Sequence, residues 1–246
     1  PMSEASLVTD ARGEMISGAS AGTEGRAEAF ATVLERGGEA GLDALLSEIV
    51  SKRDGLRAFI SRLGDRTEFR PLFAEFHFRA ALTAEDIAAS VWPLPGFLPD
   101  YFAGLARAAE AADARIVLNN ILPYGRMAFA ESDPIRRLQL LAKAFLRADG
   151  DPYDPAKTFK KVLLDRLPDL PERYLSAVNA ILEVSDRLAL FRMLEGTKAA
   201  LTVAGWLIAR YEQLKRGRGF LDFNDLITRT VALLSRPDAG PWVQFK

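Results

Sequence analysis

Apolar residues recur at intervals of three and four along most of this chain, with charged residues between them, a spacing that predicts helices. Leu42, Leu45, Leu46, Ile49, Leu56, Phe59, Ile60 and Leu63 fall on one such face. Asp100 precedes an alanine-rich run through Tyr101, Phe102, Leu105 and Ala109, and alanine is the strongest helix former. Ile135, Leu138, Leu141, Ala142 and Phe145 repeat the spacing, opened by Asp133 as N-cap with Pro134 in the first helical position. Tyr174, Val178, Ile181, Leu182, Leu188 and Phe191 continue it after Pro171. Leu201, Ala204, Leu207, Ile208, Tyr211 and Leu214 make the longest clean stripe. That stripe ends in Lys215-Arg216-Gly217-Arg218-Gly219, a basic turn that suits the helix dipole and supplies a glycine stop. Arg115-Ile116-Val117-Leu118 is the one β-like run, too short and isolated to build a sheet. Loops are expected at Trp92–Gly96 and Asp149–Pro155. No fixed period repeats, so a helical solenoid is unsupported. The predicted fold class is all-α.

Composition narrows the chemistry. The chain has 246 residues, 49% hydrophobic and 26% charged, which fits a folded domain with a core and not a disordered segment. It has no cysteine, excluding disulfides, thiolate metal sites and thiol nucleophiles, and the single histidine, His77, excludes a two-histidine metal site. Lys and Arg number 32 against 33 Asp and Glu, so no global basic excess points to nucleic acid. The charge is uneven: residues 143–236 hold 16 basic and 12 acidic residues, while residues 1–142 carry a net −5. The later half is where an anionic partner is expected. No apolar run reaches the ~18 residues of a membrane helix and no signal-peptide pattern opens the chain, so a cytoplasmic protein with no membrane partner is expected.

Motifs of self-contained catalysis are missing. No Gly-Lys dipeptide occurs, hence no GxxxxGK[ST] phosphate loop; no Asp-Glu dipeptide occurs, hence no DExx metal-holding element. HExxH is absent as well. Asp149, Asp151 and Asp154 lack the spacing and closing glutamate of an EF-hand and read as a solvated turn. His77, between Phe76 and Phe78, reads as a packed, hydrogen-bonded residue and not as a base. No catalytic residue and no metal ligand is assigned. Pro1-Met2 and the apolar ending Pro241-Trp242-Val243-Gln244-Phe245-Lys246 suggest a piece cut from a larger protein.

Two stretches stand out. In Lys157-Thr158-Phe159-Lys160-Lys161-Val162-Leu163-Leu164-Asp165-Arg166, three lysines fall within five residues. With Arg166 they suffice for about 3 phosphate contacts, and Phe159 either packs or offers a stacking face. The alternative is an ordinary exposed helix start. In Arg218-Gly219-Phe220-Leu221-Asp222-Phe223-Asn224-Asp225-Leu226-Ile227, the residues Phe220, Leu221, Phe223, Leu226 and Ile227 predict a buried face, with Asp222 an N-cap.

The second stretch, with Leu233-Leu234 and Trp242-Val243 after it, resembles the "lDFdDLl…LL" region of UvrD/RecB-like superfamily-one DNA helicases, above all the AddA helicase-nuclease subunits. Phe220, Leu221, Asp222, Phe223 and Asp225 carry the motif, in a structural role; Asn224 departs from it, standing where family members often have an acid. Leu42–Leu46 with Arg53-Asp54, and Arg147–Asp165, are similar to AddA sequences in order and spacing. The resemblance spans most of the chain and is strongest from about Ala199 onward.

It implies a helical subdomain, residues 1–216, inserted in a RecA-like motor domain, with 217–246 returning into that motor shortly before its Walker B acids. The Walker A loop would then precede residue 1 and Walker B would follow residue 246. ATP and Mg²⁺ would be cofactors of the parent and not of this piece. The parent would couple ATP hydrolysis to unwinding duplex DNA ends for double-strand-break repair, alongside a partner helicase-nuclease subunit. The piece itself would be a non-catalytic DNA-facing subdomain, with Lys157, Lys160, Lys161 and Arg166 as contact candidates. The alternative is a helical protein-interaction module that contacts the partner subunit without touching DNA.

Overall fold

A computed structural model describes residues 9, 10, 13, 14, 17, 24–64, 68–217, 219 and 223–234. Among them the chain is all-helical, and the single β feature is an antiparallel bridge between Leu146 and Pro152. The helices are α1 (Glu24–Ser51), α2 (Arg53–Leu63), α3 (Arg70–Glu75), α4 (Ala84–Ala89), α5 (Pro99–Ala112), α6 (Leu122–Ala130), α7 (Pro134–Phe145), α8 (Pro155–Thr158), α9 (Lys161–Leu164), α10 (Leu170–Gly217) and α11 (Phe223–Leu234). A π-helical turn, Val117–Ile121, leads directly into α6. No helix among the described residues is long and apolar enough to cross a membrane. The chain forms two compact units: Pro1–Phe69 with Gly196–Lys246, and the uninterrupted stretch Arg70–Glu195.

In the second unit, local capping chemistry fixes where helices start and stop. Thr83 and Asp86 form a reciprocal capping box at α4, the Thr83 hydroxyl accepting the Asp86 N–H at 3.1 Å and the Asp86 carboxylate accepting the Thr83 N–H at 3.0 Å. Asp133 caps α7 as its sequence position predicts, accepting the Ile135 N–H at 2.8 Å. Asp113 ends α5 in the left-handed region, at φ 44°. The core draws Phe97, Leu105, Val117, Ile121, Leu141 and Phe145 together with the first half of α10, where Leu170, Tyr174, Ala177, Val178 and Ile181 keep to one helical face. Phe97 and Phe145 meet edge to face at 4.8 Å between ring centroids.

The β-like run Arg115–Leu118 is helical. Val117 and Ile121, four apart, are both fully buried, and burial on one helical face outweighs the weak strand preference of Ile116 and Val117. The helix widens there because Pro123 has no N–H and its ring would collide with the carbonyl four residues back. A π turn, closed by the Leu122 N–H on the Val117 carbonyl, relieves that collision.

The first unit contains α1, α2, the second half of α10 and α11. Leu42, Leu46, Ile49 and Ile60 are buried as the spacing predicts; Phe59, placed on the same face, is exposed. Leu201, Ala204, Leu207 and Tyr211 face inward from α10. The Arg53 guanidinium lies 5.3 Å from the Tyr211 ring centroid, and Arg57 donates to the Glu212 carboxylate at 2.8 Å. The run of α1 is broken at Gly38, whose φ of 63° and ψ of −173° a side chain would strain. Lys215, assigned to a basic turn, is buried: its stem is covered and its ammonium sits 3.6 Å from Glu212 and 5.5 Å from the Tyr211 centroid.

The buried face predicted around Leu226 and Ile227 is not found. Both are exposed on α11, as are Val231, Leu233 and Leu234, because no described element packs over them. Phe220, Leu221, Asp222 as N-cap, and Trp242-Val243 lie outside the described residues, as does most of the segment 217–246 expected to return to a motor domain.

Candidate nucleic-acid interface

The lysine segment is two single helical turns, α8 and α9, and not one helix start. Asp154 opens α8: its carboxylate accepts the Ala156 N–H at 3.0 Å and pairs with Lys157 Nζ at 3.3 Å. Those contacts, the backbone hydrogen bond first, hold the Asp154 carboxyl below its ordinary range. The chain then extends through Phe159 and Lys160 before turning again at Lys161.

The break is held by the core below it. Phe159 is 3% exposed and meets Tyr174 edge to face at 5.3 Å, and Leu163 is fully buried. Phe159 therefore packs and offers no stacking face to a base. Tyr174 in turn donates its hydroxyl proton to the Phe145 carbonyl at 2.6 Å and accepts the Tyr153 N–H at 2.8 Å. Burial pushes the Tyr174 hydroxyl up to about 12.

The four cations candidate for DNA contact divide by what they touch. Lys160 reaches across to the end of α5, donating to the Asp113 carbonyl at 2.6 Å and lying 3.6 Å from its carboxylate. It thereby satisfies a helix C-terminus whose carbonyls lack intrahelical partners. Lys157 is exposed beside Asp154. Lys161 and Arg166 are exposed and make no ion pair among the described residues. The structure thus places all four at the surface of one short segment, and ties Lys160 as well to a structural contact at the end of α5.

The Asp-rich loop is a turn. Arg147 donates to the Asp149 carboxylate at 2.5 Å, and Asp149 also accepts the Asp151 N–H at 3.2 Å. No group of three or more His, Asp or Glu among the described residues is placed to hold a metal ion. His77 is not packed, contrary to its aromatic surroundings in sequence. It is exposed in a turn at φ 59°, a backbone conformation that swings its side chain out while Phe78 is buried. Its carbonyl accepts Arg187 at 3.4 Å.

Of the motif positions, Phe223 and Asp225 lie within α11, with side chains outside the described residues; Phe220, Leu221 and Asp222 lie outside altogether. Sequence reasoning missed Asp113 as the partner of Lys160. The available signal was an aspartate directly after an alanine-rich helix, but the pairing spans 47 residues. It also missed the Tyr101–Asp169–Arg173 cluster. There Arg173 donates to Asp169 at 2.6 Å and to the Gly96 carbonyl at 3.1 Å, while its guanidinium stacks 4.3 Å from the Tyr101 centroid. This cluster ties the Pro-rich loop 92–98 to the start of α10. No protein-family model, curated protein or solved structure matches the chain.

Proposed function

We propose that this chain is a non-catalytic, DNA-facing helical subdomain of an AddA-type helicase-nuclease, meeting duplex phosphates through Lys157, Lys161 and Arg166. The observation that carries the reading is the exposure of these three cations on a segment whose backbone is fixed from beneath by Phe159, Leu163 and the Lys160–Asp113 contact. A rigid backbone presents charge to a phosphate chain without a large ordering cost. The resemblance of the α11 region to UvrD/RecB-like helicases supplies the parent: a motor that binds ATP and Mg²⁺ outside this stretch and opens duplex ends for double-strand-break repair. Few base-reading side chains accompany the patch, so contact is to the backbone and independent of sequence.

With two or three phosphates engaged, the affinity for duplex falls with salt at a log–log slope of about −2 to −3. Fluorescence anisotropy with a labelled blunt duplex at low salt tests this. The variant Lys157→Ala/Lys161→Ala/Arg166→Ala should bind more weakly and with a flatter slope. Lys160→Ala should alter stability before it alters binding. Wild-type binding by the triple variant at every salt concentration rejects the DNA-facing reading.

One observation favours a second reading, a helical protein-interaction module for the partner helicase-nuclease subunit. Leu226, Ile227, Val231, Leu233 and Leu234 leave α11 with an exposed apolar surface, and such surfaces mark protein contacts. Under that reading the triple variant is neutral, and Leu226→Glu/Val231→Glu breaks the assembly with the partner subunit in a pull-down.

A further inference from the structure

The first unit contains a cleft of about 460 Å³ that belongs to neither reading. Ile60 and Ile208 line it, and Trp206, partly buried, forms part of its wall. Among the described residues three arginines border it, from three different helices: Arg26 from α1, Arg57 from α2 and Arg216 from α10. Among the described residues a single carboxylate, Glu212, lines the same space. Glu212 fixes Arg57 at 2.8 Å and also faces Lys215 at 3.6 Å, and the Glu212 carbonyl accepts Arg216 at 3.3 Å. Asp54 stands 3.9 Å from Arg57 on its outer side. Glu212 and Asp54 therefore hold Arg57, and among the described lining residues the arginines outnumber the carboxylate.

We propose that this cleft is a binding site for a nucleotide unit, with its phosphate on Arg26, Arg57 and Arg216 and its base against Trp206. Three features select that class. Guanidinium groups lining one cleft match phosphate better than they match a neutral sugar or a hydrocarbon. The volume exceeds that of an inorganic anion and lies in the range of small-molecule sites. An indole at the wall of a cationic site offers a face on which a base can stack. The ligand is either a free nucleotide or the end of a single strand, which share this chemistry. The site is independent of the Lys157–Arg166 segment, which belongs to the other unit.

Gly205 allows a test that changes no charge. A Cβ there meets only Ile60 Cδ1, at 3.8 Å, so a side chain is accepted by the helix and extends into the cleft. The full chain is titrated calorimetrically at low salt with dTMP, thymidine, inorganic phosphate and tetrathymidylate. The expected result is saturable dTMP binding with Kd at or below about 1 mM. Thymidine and phosphate should each bind at least about tenfold more weakly, since each keeps one half of the recognition. Tighter binding of tetrathymidylate than of dTMP identifies the end of a single strand as the ligand, and equal binding a free nucleotide; both support the site. Arg26→Gln/Arg216→Gln should weaken dTMP about tenfold or more, and Gly205→Leu should abolish it, with helical circular dichroism retained in both. Three outcomes overturn the proposal: no saturation by about 10 mM dTMP, phosphate binding as tightly as dTMP, or dTMP binding that survives both cleft variants. Loss of dTMP binding in Lys157→Ala/Lys161→Ala/Arg166→Ala with the cleft variants unaffected also overturns it, by moving the ligand to the other unit.

Discussion

The Tyr174 hydroxyl joins three parts of the second unit, because it bonds the end of α7 at Phe145 and the loop at Tyr153 while its ring supports Phe159. Tyr174→Phe keeps the ring and leaves a carbonyl and an N–H without their partner. The expected cost is about 1–3 kcal/mol, read as a lowered urea midpoint at unchanged slope. Asp169 makes a pH prediction. The hydrogen bond from Arg173, then that from Tyr101, holds the Asp169 carboxyl below its ordinary value, while burial opposes the shift. The contribution of Asp169 to stability is therefore complete above about pH 4, the unfolded carboxylate range, and is lost as pH falls through the depressed folded value. Asp169→Asn should flatten the acid limb of a stability–pH curve. The change is small, because the side chain is more than a third exposed. The same neighbourhood pushes Tyr101 up to about 12, chiefly by burial and then through the charge of Asp169, so Tyr101 stays protonated through the ordinary tyrosine range in a spectrophotometric titration.

Among the helices, two glycines and two lysines separate features that look alike in sequence. Gly104 in α5 has nothing within 4 Å of a Cβ, and Gly104→Ala should stabilise by about 0.5–1 kcal/mol through helix propensity. Gly125 in α6 has the Phe102 ring against it, and Gly125→Ala should cost about 1–3 kcal/mol through overpacking. Thermal midpoints of the two variants should move in opposite directions. Lys160→Ala should cost about 0.3–1 kcal/mol by uncapping α5, while Lys161→Ala leaves stability unchanged. Such pairs mark what a local pattern can deliver. Asp133 with Pro134 specifies a helix start within four residues, and the three-and-four spacing of α7 and α10 places their buried faces. Lys160 and Lys161 differ only through Asp113, far away in sequence. Gly104 and Gly125 differ only through the Phe102 ring. The β-branched run at Arg115–Leu118 misleads because its strand preference is weaker than the burial of Val117 and Ile121. Leu226 and Ile227 mislead in the other direction, since apolar character alone does not say whether a neighbour covers it.

The whole molecule is divided unevenly along its sequence. The second unit is one continuous stretch, and its buried cluster, from Phe78 to Leu194, lies wholly within Arg70–Glu195. Expressed alone, Arg70–Glu195 should be helical and melt cooperatively; a non-cooperative melt with little near-ultraviolet signal would show that its core needs the rest of the chain. The first unit has no such autonomy, because α1 and α2 must wait for Gly196 onward. On a ribosome adding ~5–20 residues per second, the intervening stretch takes roughly 6–25 s to emerge. Throughout that interval Leu42, Leu46, Ile49 and Ile60 face water with their partners not yet synthesised, while the middle of the chain is already free to collapse. Nascent α1 and α2 are thus the segment most in need of a holding chaperone, and the order of assembly is middle first, flanks last.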